Sequence, residues 1–137
     1  MKIARRLEKL LRLVTRTPLT LMPQKEVQVE ERQPDIEVQF FFNDIRKHAA
    51  KDGYRPMHLM GDHYLTTGVH HYYSVESVAP CGTARGTITF ITPWAYPHSL
   101  WSGKRIQIQE GDRIVGYAIV VKLLNESLLG NPEATNS

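Results

Sequence analysis

Hydrophobic and polar residues alternate along most of the chain after residue 35, which is typical of β-strands with one buried face. The alternation predicts strands over Ile36–Phe42, over His63–Val69 with a continuation to Tyr73, and over Thr83–Thr92. Turns rich in glycine and proline separate them. About six strands with no helix between them predict an all-β domain, a small six-stranded antiparallel β-barrel.

The clearest predicted element is a β-hairpin over residues 103–124. On its first strand Ile106 and Ile108 point to one face, and the polar residues between them point to the other. The turn falls at Gly111, which adopts positive φ readily. The return strand, Ile114–Leu124, is nearly all apolar, so we expect it to be buried on both faces.

The first 17 residues follow a helical period instead, and they predict a basic amphipathic helix that ends before Pro18. Its apolar stripe contains Leu7, Leu10, Leu11 and Val14. Its other face carries Arg5, Arg6, Lys9, Arg12 and Arg16. The predicted organisation continues with a linker over 18–35, the barrel over 36–124 and a flexible tail over 125–137.

Positive charge is concentrated in this N-terminal arm. The first 25 residues contain seven basic and one acidic side chain, although the net charge of the whole chain is only +3. Attraction to RNA or to anionic lipid is therefore expected in the arm first. Three interpretations of the helix stay open: its stripe packs on the barrel or on a partner, it lies on a membrane, or its arginines contact RNA phosphates.

Composition favours a cytoplasmic protein. Cys81 is the only cysteine, so the chain has no internal disulfide and suits a reducing compartment. No apolar run reaches the length of about 20 residues that a membrane span requires. Charges interrupt the apolar residues near the N-terminus, so no secretory signal is predicted.

Three segments, in order, resemble the C-terminal β-barrel of the elongation factor Tu family, the GTPases that deliver aminoacyl-tRNA. They are Glu37–Phe40 leading to Gly53–Pro56, then Thr66–Val69, and finally Ile91–Pro93 with the hairpin after it. The resemblance covers about residues 36–124. The chain has no Gly-x-x-x-x-Gly-Lys-Ser/Thr loop, so it resembles this barrel in free-standing form, without a GTPase domain.

In that family the barrel grips the T-arm of tRNA and contacts the GTPase domain and the nucleotide-exchange factor. The resemblance implies tRNA-facing positions at His70, Thr92 and Gly111. Gly111 agrees with the family. His70 stands where the family has threonine, His71 where it has glycine, and Thr92 where it has a more basic or imidazole-like residue.

The segment between strands at 93–105 is rich in aromatic and basic residues, namely Trp94, Tyr96, Trp101, Lys104 and Arg105. Such a set can stack bases and contact phosphates. It can equally close one end of the barrel or form a protein interface. All three interpretations stay open.

The spacing of histidine, cysteine and acidic residues does not indicate a catalytic or metal site. His63 and His71 are too far apart along one strand to share an ion, and adjacent His70 and His71 point to opposite faces. Cys81 has no histidine near it in sequence to act as a base. We therefore expect a non-enzymatic protein with no metal and no cofactor.

The first functional hypothesis is a translation-associated module that contacts tRNA or another structured RNA. Its expected contacts are the basic face of the arm together with His70, Thr92, Lys104, Arg105 and Gly111. The alternative is a protein-interaction module that mimics the elongation factor surface, as a competitor for its partners, a toxin decoy or a ligand of a translation GTPase. Its expected contacts are the apolar stripe of the arm together with Trp94 and Trp101.

Overall fold

The structure, a computed structural model, describes residues 32–61 and 63–132. The predicted N-terminal helix and most of the linker lie outside these residues. The strands of the described part are β1 (Ile36–Phe42), β2 (Ala50–Lys51), β3 (Met57–Met60), β4 (Tyr64–Tyr72), β5 (Ser77–Val78), β6 (Thr83–Phe90), β7 (Arg105–Glu110) and β8 (Arg113–Leu123). Two short 3₁₀ helices occupy Pro93–Ala95 and Glu126–Leu128.

Six strands form a closed antiparallel barrel in the order β1-β6-β4-β3-β7-β8, which confirms the predicted barrel. Strand β8 closes it by pairing with β7 on one side and with β1 on the other. Strand β1 has the predicted bounds, and β6 stops at Phe90, shortly before the 3₁₀ helix that begins at Pro93. Strands β2 and β5 pair in a separate two-stranded sheet.

The antiparallel order gives the barrel two distinct ends. The lower end holds the starts of β1, β4 and β7, and therefore the β6–β7 connection at 91–104 and residues 124–132. The upper end holds the connections 43–56 and 73–82 and the β7–β8 turn. Gly111 lies in that turn with φ of 60°, as predicted.

Alternate residues of the barrel strands point inward and form the core. Tyr96, Leu100 and Leu128 cover it at the lower end. Strand β8 follows the same alternation: Val115 is buried, whereas Ile114 is 47% exposed. The prediction of burial on both faces of β8 is therefore wrong, because no second layer formed by residues 32–61 or 63–132 covers its outer face.

Asp35 holds the lower end together. Its carboxylate is 1% exposed and accepts hydrogen bonds from the Phe90 amide at 2.7 Å and the Asn125 side chain at 2.8 Å. The Arg32 guanidinium pairs with the same carboxylate at 3.1 Å. One buried acid thus ties the start of β1 to the end of β6 and to the segment that follows β8.

We expect the substitution Gly86→Ala to destabilise the barrel by about 3 kcal/mol, because strands pack too closely at this point for a side chain. A Cβ atom there would lie 2.0 Å from the carbonyl oxygen of His71. Urea denaturation measures the loss. The matched control is Gly61→Ala, where φ is positive but nothing lies within 4 Å, so the expected cost is about 1 kcal/mol. Equal losses would contradict the packing argument.

Candidate functional site

A line of polar side chains crosses the barrel interior. His58 on β3 and His70 on β4 are both fully buried, and their Nε2 atoms are 2.8 Å apart. At one end of the line His58 Nδ1 lies 3.3 Å from the Thr66 carbonyl oxygen, and at the other end His70 Nδ1 lies 2.9 Å from the Tyr72 hydroxyl. Each ring nitrogen therefore has a partner inside the core.

The terminal carbonyl determines where each proton sits. Since a carbonyl oxygen only accepts, His58 donates from Nδ1 and its Nε2 accepts. His70 must then donate from Nε2, which leaves its Nδ1 to accept the hydroxyl proton of Tyr72. The line is complete with both imidazoles neutral, and a proton added to His58 Nε2 would face the N–H donor of His70.

Burial keeps these groups neutral. It lowers the pKa of His58 to about 4, although the Thr66 carbonyl partly opposes the shift. Burial also lowers the pKa of His70 well below its ordinary value, and the neighbouring His58 lowers it further. The pKa of Tyr72 is raised, chiefly by burial. The line is a satisfied core network rather than an acid–base site open to a substrate.

The three positions that resemble tRNA contacts are not gathered on one surface. The ring of His70 is fully buried, so the expectation that it contacts RNA from the surface is wrong in this fold. Thr92 follows β6 at the lower end, whereas Gly111 lies in the turn at the upper end. Alternation turned His70 inward and His71 outward, as their adjacency predicted.

An open groove of about 430 Å³ lies on the outer face of β1, β8 and β7. Its central feature is a stack in which the Phe41 and Tyr117 rings lie 5.0 Å apart at an interplanar angle of 18°. The Arg105 guanidinium lies 3.7 Å from the centre of the Tyr117 ring. Among the described residues Arg105 forms no ion pair.

A second concavity, of about 290 Å³, lies at the upper end and is rich in basic side chains. We call it the basic cleft; its lining is Ile45, Arg46, Lys47, His48, Glu110 and Arg113. Its one acidic residue is already engaged, since Glu110 accepts hydrogen bonds from Arg46, Arg113 and the Tyr54 hydroxyl.

These bonds affect the ionisation of Glu110. Burial alone would raise its pKa, but the hydrogen bonds from Tyr54 and Arg46 and the charges of Arg46 and Arg113 outweigh burial and hold the pKa below its ordinary value. Glu110 is therefore ionised and cancels only part of the positive charge of the cleft. Lys47 is exposed and forms no ion pair with a carboxylate of the described residues.

The groove and the basic cleft adjoin. The Asn43 side chain donates a hydrogen bond of 2.8 Å to the Ile114 carbonyl oxygen, and both residues line the groove. Ile45, two residues after Asn43, and Arg113, directly before Ile114, line the cleft. An aromatic surface on the side of the barrel thus continues into a cationic surface at its upper end.

The remaining predicted contacts of the β6–β7 connection lie at the lower end. Trp94 is 66% exposed. Trp101 is half-buried under the Lys104 ammonium, which lies 4.5 Å from the centre of its ring. Tyr96 from the same connection closes the barrel, so this segment contributes both to the core and to the surface.

Several other predictions concern residues outside the described part. They are Arg5, Arg6, Lys9, Arg12 and Arg16 on the basic face and Leu7, Leu10, Leu11 and Val14 on the apolar stripe. Within the described residues no three histidine, cysteine or acidic side chains come together as metal ligands. No helix among those residues is long and apolar enough to cross a membrane.

Comparison of the chain with protein-family models and with curated proteins finds no match. The resemblance to elongation factor Tu therefore remains a prediction.

The sequence predicted Arg105 as a site residue but not its partners Phe41 and Tyr117, which lie on strands far apart in sequence. The signal that could have identified them is that Phe41 and Tyr117 each lie between inward-facing residues of a strand, which places both on the outer face. Arg46 and Lys47 carried no periodic signal, because they lie in a loop.

We expect the protein to lose stability as pH falls from about 6.5, the ordinary histidine pKa, towards 4. In this window the unfolded chain binds protons that His58 and His70 cannot accept while folded, so protonation favours unfolding. His58 alone accounts for roughly 3 kcal/mol at pH 4. Urea denaturation between pH 5 and 7.5 measures the slope, above the range in which most carboxylates titrate.

The comparison variant is His58→Gln, which removes one of the two buried imidazoles and should make the slope shallower. A stability that is flat between pH 5 and 7 would contradict the neutral, buried pair.

Proposed function

We propose that this protein is a non-enzymatic RNA-binding module. The observation that carries the proposal is the open groove in which the Arg105 guanidinium lies on a stacked Tyr117–Phe41 pair. Unpaired bases stack on aromatic rings and on arginine planes, and each stacked base contributes about 1–3 kcal/mol to binding. The groove offers both kinds of surface side by side.

The basic cleft supports the same proposal. A nucleotide whose base stacks in the groove continues into the phosphate backbone of the RNA on either side. The cleft adjoins the groove at the Asn43–Ile114 hydrogen bond, so it lies where such phosphates can reach it. Lys47 and Arg113 are exposed there and suited to contact phosphate oxygens. The groove then selects for an unpaired base, and the cleft supplies sequence-independent affinity.

The preferred ligand under this proposal is a structured RNA that presents unpaired bases, with tRNA as the first candidate. Duplex RNA hides its bases from side chains, whereas loops and ends expose them. The resemblance to the elongation factor Tu barrel favours tRNA and a role in translation, in the cytoplasm. The basic face of the N-terminal arm would add non-specific affinity.

A second candidate function is protein binding through the lower end. The observation that favours it is the exposure of Trp94, since exposed tryptophan is typical of interface hot spots. In this version the barrel competes for a partner of the elongation factor, or acts as a decoy for a toxin, without contacting RNA.

Two substitutions test the groove. We expect Arg105→Gln and Tyr117→Leu each to weaken tRNA binding about tenfold, because each removes one stacking surface. Fluorescence anisotropy with labelled tRNA measures the affinity. The control is Lys122→Gln, which removes one exposed charge at the lower end of β8 and should change affinity little. If the unsubstituted protein does not bind tRNA at low salt, the proposal is contradicted.

Salt dependence tests the basic cleft separately. We expect Lys47→Gln and Arg113→Gln each to reduce the slope of log affinity against log salt by about 0.7 to 0.9, the value for one released counterion. Tyr117→Leu should weaken binding without changing the slope, since it removes no charge. The same tRNA titrations, repeated from 50 to about 200 mM salt, give the slopes. Identical slopes in all variants would show that the cleft takes no part.

A further inference from the structure

Exposed apolar side chains are concentrated at the lower end of the barrel. Of the nine large hydrophobic residues that are exposed in the described part, five lie there: Tyr64, Ile91, Trp94, Leu124 and Leu129. We call this set the apolar rim. Single exposed apolar residues are ordinary, but several at one end of a small domain mark a surface that something covers.

The N-terminal part of the chain joins the barrel at this same end. Arg32, the first described residue, donates a hydrogen bond of 2.7 Å to the Phe90 carbonyl oxygen and pairs with Asp35. An open cleft of about 550 Å³ begins at Arg32 and runs between residues 32–35 and 124–127. Leu124 of the apolar rim lines this cleft. The described part of the chain therefore begins beside the rim.

The sequence supplies a segment of matching chemistry within reach. Residues 18–31 between the predicted helix and Arg32 span up to roughly 45 Å when extended, more than the roughly 36 Å length of the longest strand, β8. The stripe formed by Leu7, Leu10, Leu11 and Val14 is apolar and has helical spacing. A tether of this length keeps the stripe at a high effective concentration near the rim.

We propose that the apolar stripe of the N-terminal arm docks on the apolar rim of its own barrel. Docking in this orientation buries leucine against the side chains of Trp94, Leu124 and Leu129, and it leaves the basic face of the arm in solvent. The basic cleft is unaffected, because it is at the opposite end. This proposal does not depend on RNA binding.

Trp94 provides a built-in probe of the proposed contact. The chain has only two tryptophans, so Trp101→Phe leaves Trp94 as the sole tryptophan of the full-length protein. Trp94 is 66% exposed, and a docked arm would cover it. Acrylamide quenching of its fluorescence therefore measures whether the rim is covered.

The decisive comparison is between two triple variants in the Trp101→Phe background. We expect Leu7→Ser/Leu10→Ser/Leu11→Ser to increase the quenching constant several-fold. The matched control, Arg5→Gln/Arg12→Gln/Arg16→Gln, changes the same arm on its other face and should keep Trp94 protected. The near-ultraviolet circular dichroism of the barrel aromatics shows that each variant remains folded.

Three results would overturn the proposal. Quenching that is already high with the unsubstituted arm would mean that the arm does not cover the rim. Protection that disappears on dilution would identify a second copy of the chain as the occupant. Protection that survives the leucine substitutions would mean that the apolar stripe is not what covers Trp94.

Discussion

Closure of the barrel by β8 is the constraint on which the rest of the structure depends. Because β8 pairs with both β7 and β1, each of the six strands must present one face to the core and one to solvent. That division sends His70 inside and His71 outside, although the two are adjacent and chemically identical. It also turns Phe41 and Tyr117 outward, so that two strands distant in sequence share an aromatic surface.

The core accepts polar side chains only because their hydrogen bonds form a complete line. The order of donors and acceptors from Tyr72 through His70 and His58 to the Thr66 carbonyl leaves no ring nitrogen unpaired. This line of hydrogen bonds also destabilises any alternative register of β4. A shift of β4 by one residue would exchange His70 for His71 and remove the partner of His58.

The parts of the fold that follow from local pattern could be predicted from the sequence: β1, the β7–β8 hairpin and the barrel as a whole. Strand β3 was missed, because four residues with a histidine at an inward position do not show clear alternation. Whether the predicted RNA contacts lie together depends on the directions in which the strands run. Thr92 and Gly111 each follow the end of a strand, yet β6 and β7 run in opposite senses, so the two residues lie at opposite ends. Such separation cannot be read from spacing.

The closed barrel also determines how this molecule can meet other molecules. Every strand of the six has a neighbour on both sides, and only the β3–β7 seam is short, with the pairs Met57–Gln109 and His58–Ile108, so the barrel offers no full-length edge to an added strand. Sequence-independent backbone pairing, the common route to peptide capture and to fibril growth, is thereby restricted at these strands. Recognition by the barrel therefore rests on side-chain identity, and evolution can change its ligands by surface substitution without disturbing the sheet.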